Sequence, residues 1–445
     1  MRYANFANQE YMKKNLTLID LLGQNERGGI PLIWKNSSNV YIPSQDNHTL
    51  IVSSDEEEKK QGIILPTIKT LATTDESLVI YDPRGDIYLK TASELKDKCF
   101  KTYVINYSNP KTSTCYNPLS LPYQLYKEGK IDDATKLVED IAYYLLVNVN
   151  DNADPFWTNM AVDLFTGLAL YLFSITTEEY LNLNNIYKLL TEINENEKYQ
   201  NILKKENQKK SYYFYLNEVF STPVDTKNSI IAVMMQMLKP YVAREMSSRM
   251  MSISEFSFKD LITEKFVVYL IGDNLIANNC ISMFIDELLT FYKLFTKRVK
   301  IRIILDEFEN LKPILDFSKK ISSSLYSGIT YLVVTNGYTN LINKYGKENF
   351  DILKLCFNDF IYLTCNDLNT MEEISRLCGN VNKDSRLITP MELRTLKMFE
   401  AIVILHKLMP YKVKLIPDYK IKWENDYKDS KLLERELPEI KFFSN

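Results

Sequence analysis

The stretch HTLIVSSDEEEKKQGIILPTI, His48 to Ile68, decides the fold. An apolar run ends at Val52, the polar run Ser53–Lys60 follows, and the chain turns apolar again before Pro66. This is the outline of a strand, a loop and a helix, the frame in which phosphate-binding loops occur. The expected loop contains no glycine and carries four acids in succession, Asp55, Glu56, Glu57 and Glu58.

Further runs of the same kind lie on either side. TLIV at Thr49, SLVIYD ending at Asp82, FVVYLI at Phe266, IRIILD ending at Asp306, ITYLVVTN ending at Asn336, FIYLTC at Phe360 and EAIVIL at Glu400 are continuous rather than alternating. That is the pattern of strands buried on both faces, and helical patterns between most of them predict an α/β fold with a mostly parallel sheet. The middle of the chain differs. From Ile131 to Phe256 no strand stands out; Asp154-Pro155 predicts a helix start, followed by Trp157, Met160, Ala161, Leu164, Leu168 and Tyr171 at helical spacing. The expected domains are an N-terminal segment packing on the core (residues 1–47), the first part of the core (48–130), an all-α insertion (131–256), the second part of the core (257–419) and a peripheral extension (420–445).

Bulk composition narrows the function. The 445 residues are 45% hydrophobic, enough for a sizeable core, and the net charge of −3 lacks the basic excess of a dedicated nucleic-acid binder. DNA contact would need a local patch; Lys204–Lys210 and Lys293–Lys300 are candidates, although such runs are most often solvated helix faces. The six cysteines form no CxxC pair and there are two histidines, which argues against a zinc site or a Ser-His triad and predicts reduced thiols. Met1–Gln9 has no apolar signal region, and the stretch from Leu164 has fourteen uncharged residues, short of the roughly 20 that span a bilayer. A soluble, cytoplasmic chain is expected.

Asp306 and Glu307 end an apolar strand, the arrangement in which an aspartate helps hold Mg²⁺ and a glutamate orients water. Strands also end in acids where solvent begins. Asp82, Arg84 and Gly85 form a second strand-to-turn exit, for which a structural reading is favoured.

Together the motifs resemble one family. GGIPL at Gly28, HTLIV at His48, LPTI at Leu65, DPRGD at Asp82, YNPL at Tyr116, DPFW at Asp154, DLFTGL at Asp163, DTKNSIIAV at Asp225, KDLITEK at Lys259, LDEFENL at Leu305 and LITPMEL at Leu387 occur in order. From about Met12 to Tyr419 the chain resembles the cytoplasmic motor of type IV secretion coupling proteins, the TraG/TraD-like ATPases of conjugation. The resemblance implies a RecA-like P-loop NTPase core with an inserted all-α domain. It also implies hexameric rings at the inner membrane face that use ATP to pass DNA and its relaxase to the secretion channel.

Several positions depart from that pattern. In the register of the family's P-loop, Lys59 matches the phosphate lysine, Ser53, Glu56 and Glu58 fall on glycine positions, and Lys60 replaces the hydroxyl that ligates Mg²⁺. Without glycine the backbone does not readily turn its N–H groups onto phosphates, and side chains there would crowd a nucleotide. Four carboxylates would also repel it, each like-charge pair costing about 0.8 kcal/mol at about 5 Å in water. Glycine is scarce throughout, 12 of 445 residues, and no other GxxxxGK[ST] exists. Leu325 and Ser327 stand at the family's arginine positions, and Asn336 replaces a glutamine that senses the γ-phosphate. The family's N-terminal membrane helices are not seen before His48, so recruitment to the inner face of the cell membrane would require a partner.

The resulting expectation is a pseudo-ATPase adaptor or regulator with a vestigial site: Lys59, Asp306 and Asn336 for nucleotide, Asp306 for Mg²⁺, Glu307 as the catalytic-type acid. No cofactor is expected, with ATP and Mg²⁺ relevant only if the site still binds. Expected partners are an intact coupling-protein ATPase or other type IV secretion components, a relaxase complex, and DNA. The alternatives are an active DNA-translocating ATPase subunit with an atypical loop, and a protein-binding module unconnected with transfer.

Overall fold

The apolar runs become strands because nearly every residue in them is enclosed. The computed structural model describes residues 4–147, 154–195, 210–294, 299–421, 423 and 428–443. Near the N-terminus, β1 (Leu16–Asp20), β2 (Ile33–Trp34) and β3 (Asn39–Pro43) form a small antiparallel sheet in the order β1-β3-β2, which the sequence reading did not anticipate.

Among the described residues the main sheet has nine strands: β4 (Thr49–Ser53), β5 (Ser77–Asp82), β6 (Lys101–Asn106), β7 (Phe266–Ile271), β8 (Ile301–Leu305), β9 (Ile329–Thr335), β10 (Asp359–Thr364), β11 (Glu400–Ile404) and β12 (Tyr411–Lys414). Their order is β12-β11-β10-β4-β9-β8-β5-β7-β6. From β10 through β4, β9, β8 and β5 to β7 all neighbours are parallel. Every residue of β4, β5, β7, β8 and β9 is buried, which is why their sequences do not alternate. EAIVIL departs from the parallel set: β11 runs antiparallel to β10. The short link from β11 to β12 allows only a reversal, so that pair is antiparallel too. Because β4, β9, β8 and β5 are parallel neighbours, Lys59, Asn336, Asp306 and Arg84 all follow strand ends on one edge of the sheet, where ligands of open α/β sheets sit.

The chain divides into two compact units. The first comprises Met1–Tyr103, Ile262–Gly272 and Phe295–Leu432, and the second Val104–Leu261, Asp273–Leu294 and Leu433–Asn445. The second is mainly helical, with long helices at Ile131–Leu146, Pro155–Ile175, Val224–Val242 and Leu275–Lys293. Asp154 caps the second of these by accepting the Phe156 N–H at 3.0 Å, with Pro155 at the first helical position. Gly167 lets the helix Ser211–Phe220 come close: a Cβ there would lie 2.7 Å from Leu216 Cγ.

Among the described residues one helix, Pro155–Ile175, is long and apolar enough to cross a membrane, but 67% of its apolar window is buried inside the protein. Leu164, Phe165, Leu168 and Phe173 are fully enclosed, as in a core helix. In the helix Val224–Val242, Met234 and Leu238 likewise pack inward. Of the C-terminal extension, residues 433–443 lie along the helical unit. Arg435 pairs with Glu255, and the Lys441 carbonyl accepts from Asn182 and Asn185. Residues 204–209 of the first basic run and 295–298 of the second lie outside the described residues.

Candidate functional site

Where a loop was expected after β4, the chain is helical almost at once. Asp55 is the N-cap of a helix at Glu56–Lys59, its Oδ1 accepting the Glu58 N–H at 2.9 Å. A π-turn at Lys60–Ile64 and an α-helix at Leu65–Ala72 continue it. An acid at the cap and acids in the first turn favour a helix start, and no glycine is present to hold a more open path. The chain's own carboxylate therefore binds a backbone N–H that a phosphate loop would leave for its ligand.

The acids at the glycine positions take opposite directions. Glu58 turns inward, where its Oε1 accepts the Phe399 N–H at 2.7 Å and burial pushes its pKa up. Phe399 has a left-handed backbone (φ 64°) and packs close to Gly62, where a Cβ would come within 3.2 Å of the ring. Glu58 thus anchors a neighbouring turn and does not crowd the site. Glu56 faces the strand edge and does.

Lys59 is fully buried, its ammonium 2.6 Å from Glu56 Oε1, 2.9 Å from Asp306 Oδ1 and 3.4 Å from Glu307 Oε1. Burial alone would lower its pKa; the Asp306, Glu56 and Glu307 carboxylates outweigh burial and hold it above the usual lysine value. Lys60 takes no Mg²⁺ ligand's role. Its ammonium lies 2.8 Å from Asp86 and 3.3 Å from the second oxygen of Glu56.

The turn after β5 supplies the third cation. Asp82, wholly buried, accepts the N–H groups of Gly85 (3.0 Å) and Tyr88 (2.8 Å), and Gly85 adopts φ +83° to start the helix Asp86–Asp97. Burial pushes the Asp82 carboxyl up to about 6 against those backbone donors. This fixes Arg84 so that its guanidinium bonds Glu307 at 2.7 Å and also bonds Glu56. Burial works to raise the pKa of Glu56, yet Lys59 and Arg84 bring it down to about 2.

β8 delivers the two remaining acids. Asp306 is fully enclosed, which pushes its pKa up, and Lys59 is the main cation opposing that shift. Glu307 sits at φ 50°, ψ 49°, a left-handed conformation uncommon for a residue with a long side chain. Its carboxylate is clamped by Arg84 and by Asn310 Nδ2 at 2.8 Å.

Asn336 is not drawn in. Its backbone N–H donates to Glu309 at 3.0 Å, and among the described residues no hydrogen bond joins its amide to Lys59, Asp306 or Glu307. Leu325 and Ser327 lie in a short 3₁₀ turn that ends at left-handed Gly328. His48 serves packing: Nδ1 accepts the Tyr331 N–H, Nε2 meets the Ile321 carbonyl, and burial lowers its pKa to about 4.

Sequence reasoning missed that Arg84 is a clamp, that Glu56 is the centre of the cations, and that Glu309 holds the end of β9. The Glu56–Lys59–Lys60 spacing was a legible signal, since i, i+3 and i, i+4 residues share a helix face, but only once the segment is known to be helical.

A nucleotide with Mg²⁺ would have to compete with side chains already placed in this set. Oxygens of Glu56, Asp306 and Glu307 lie within 4.8 Å of one another, a spacing a metal could use. The Lys59 ammonium lies 2.6–3.4 Å from all three and offsets part of their charge. Phosphate would have to displace Glu56 from the same ammonium.

A family model described as "Type IV secretory system Conjugative DNA transfer" matches residues 2–385. Among curated proteins none matches. The plasmid coupling protein TrwB, solved in complex with ADP and Mg²⁺, superposes with TM-score 0.69 at 13% identity, over 98% of this chain and 97% of that one. TrwB with the ATP analogue ADPNP gives 0.68 at 13% identity, over 98% and 97%. VirB4 of Thermoanaerobacter pseudethanolicus gives 0.54 at 11%, over 88% and 98%. At such identities the likeness is one of fold: a RecA-like core with a mainly parallel sheet and an all-α part.

Proposed function

The chain belongs to the type IV secretory system conjugative DNA transfer family, and from that premise we propose that it is a pseudo-ATPase of the coupling-protein type, working as an adaptor or regulator. Its partners are an intact coupling-protein ATPase or another type IV secretion component, a relaxase complex, or DNA. It works in the cytoplasm, drawn to the inner face of the membrane by its partner.

One observation carries this reading: the buried Lys59 ammonium is ringed by Asp306, Glu56 and Glu307 at 2.6–3.4 Å. A lysine that must draw in phosphate would first have to give up contacts with these carboxylates, at an exchange cost. Asp55 capping the helix start adds to it. Titration calorimetry with Mg-ATP and a non-hydrolysable analogue at moderate salt is the test. No heat of binding at millimolar nucleotide is expected; binding in the micromolar range overturns the reading.

A second reading, an active subunit in a mixed ring, is favoured by one feature: Asp306 and Glu307 still stand at a strand end with converging oxygens. Mixing the protein with an intact family member and measuring DNA-stimulated ATP turnover separates the two. If turnover rises and Glu307→Gln abolishes the rise, the active-subunit reading holds.

A further inference from the structure

We infer that the Glu56 carboxylate is a built-in occupant of an oxyanion seat formed by Lys59, Lys60 and Arg84, so that removing this one carboxylate opens the seat to inorganic phosphate or pyrophosphate. The inference rests on the reading above and adds what fills the site and what would empty it.

Both oxygens of Glu56 are used. Oε1 lies 2.6 Å from Lys59 Nζ; Oε2 lies 3.3 Å from Lys60 Nζ and is bonded by the Arg84 guanidinium. One carboxylate therefore meets three cations, which come from the helix after β4 and from the turn after β5. Three cations around one point repel each other unless an anion lies between them. Glu56 supplies that anion locally, being i, i+3 to Lys59 and i, i+4 to Lys60, so that little chain freedom is lost in placing it. The cations stay in position without it. Lys59 is also held by Asp306 at 2.9 Å, Lys60 by Asp86 at 2.8 Å and Arg84 by Glu307 at 2.7 Å.

The occupant is replaceable. Its side chain is 44% exposed, whereas Lys59 beneath it is closed off, so an ion from solvent can reach the place Glu56 leaves. Tetrahedral oxyanions suit the seat, since they offer several oxygens to an Arg fork and to ammonium point charges. Removing Glu56 also removes one of the four carboxylates (Glu56, Asp86, Asp306, Glu307) that face the three cations, lifting the repulsion on an entering anion.

The test is calorimetric titration of the full chain with inorganic phosphate and, separately, pyrophosphate at low and moderate salt. Wild type, Glu56→Gln, Glu56→Ala and the control Glu57→Gln are compared. Glu57 is exposed on the same turn and has no part in the seat. Both Glu56 variants are expected to bind pyrophosphate at least about tenfold more tightly than wild type and Glu57→Gln, with affinity falling as salt rises. The Glu56→Ala/Arg84→Gln double variant should lose the gain. Glu56→Gln keeps the size of the side chain, so a folded variant is available if Glu56→Ala unfolds. No gain in either variant, or equal gain in Glu57→Gln, overturns the inference and leaves the pseudo-ATPase reading standing. Tight Mg-ATP binding by wild type overturns that reading instead.

Discussion

Replacing Lys59 by methionine tests how the site is held together. At 2.9 Å and an effective dielectric of about 20, the gross attraction between Lys59 and Asp306 is about 6 kcal/mol, set against the cost of burying both charges. In the variant, Asp306 stays fully enclosed without its cation, while Glu56 and Glu307 keep Arg84. The way out for Asp306 is to take up a proton. From an unfolded value near 3.9 that costs about 1.36 kcal/mol per pH unit, or about 4 kcal/mol at pH 7 and about 1.5 kcal/mol at pH 5. The sign follows from linkage. A carboxyl whose folded pKa is raised costs nothing below its unfolded pKa, and the loss grows as pH rises toward the folded one.

Urea unfolding of wild type and Lys59→Met, followed by circular dichroism at both pH values, reads the difference. The expected loss is at most about 4 kcal/mol at pH 7, since the raised Asp306 carboxyl already costs wild type part of it, and it is smaller at pH 5. The double variant Lys59→Met/Asp306→Leu should regain most of it, because a buried pair can be replaced by apolar groups of similar volume at little cost. A loss under about 1 kcal/mol at pH 7, or an equal loss at both pH values, refutes the claim that Lys59 is the buried counter-ion of Asp306.

Asp82, raised by burial from 3.8 to about 6, should make wild type lose stability as pH rises through that window. The loss is about 3 kcal/mol at 1.36 kcal/mol per unit, and Asp82→Asn should flatten the thermal-melt profile there; an identical slope in both proteins counts against it. In the helical unit, Gly167→Ala places a Cβ 2.7 Å from Leu216 Cγ. The overpacking should cost about 1–3 kcal/mol in melting experiments and be relieved in part by Leu216→Ala, whereas an unchanged melting temperature would show that the helices separate freely.

Much of the candidate site was legible because strand ends are legible. A buried parallel strand must be a continuous apolar run, so SLVIYD and IRIILD announced both themselves and the acids at their ends. The same logic failed for EAIVIL, since burial of a run does not state its direction. The small sheet was hidden too: β2 has two residues, and β3 alternates in burial without a strong apolar pattern. Asn336 was placed correctly at a strand end but not in the cluster, because a side chain's direction depends on what its neighbours bond.

By itself the sequence determined the α/β layout, the absence of a glycine loop, and the presence of Lys59 after the first core strand and of Asp306 and Glu307 at the end of another, since these depend on residue type and local period. Tertiary structure alone decided which charges meet. Glu56 and Glu58 are chemically identical and two positions apart, yet one gathers three cations while the other anchors Phe399. It also decided that the helix Leu275–Lys293 and the segment 433–443 share one compact unit with 104–261. The partners that come from distant stretches of chain, Arg84 for Glu56 and Phe399 for Glu58, leave no record in the spacing along the sequence.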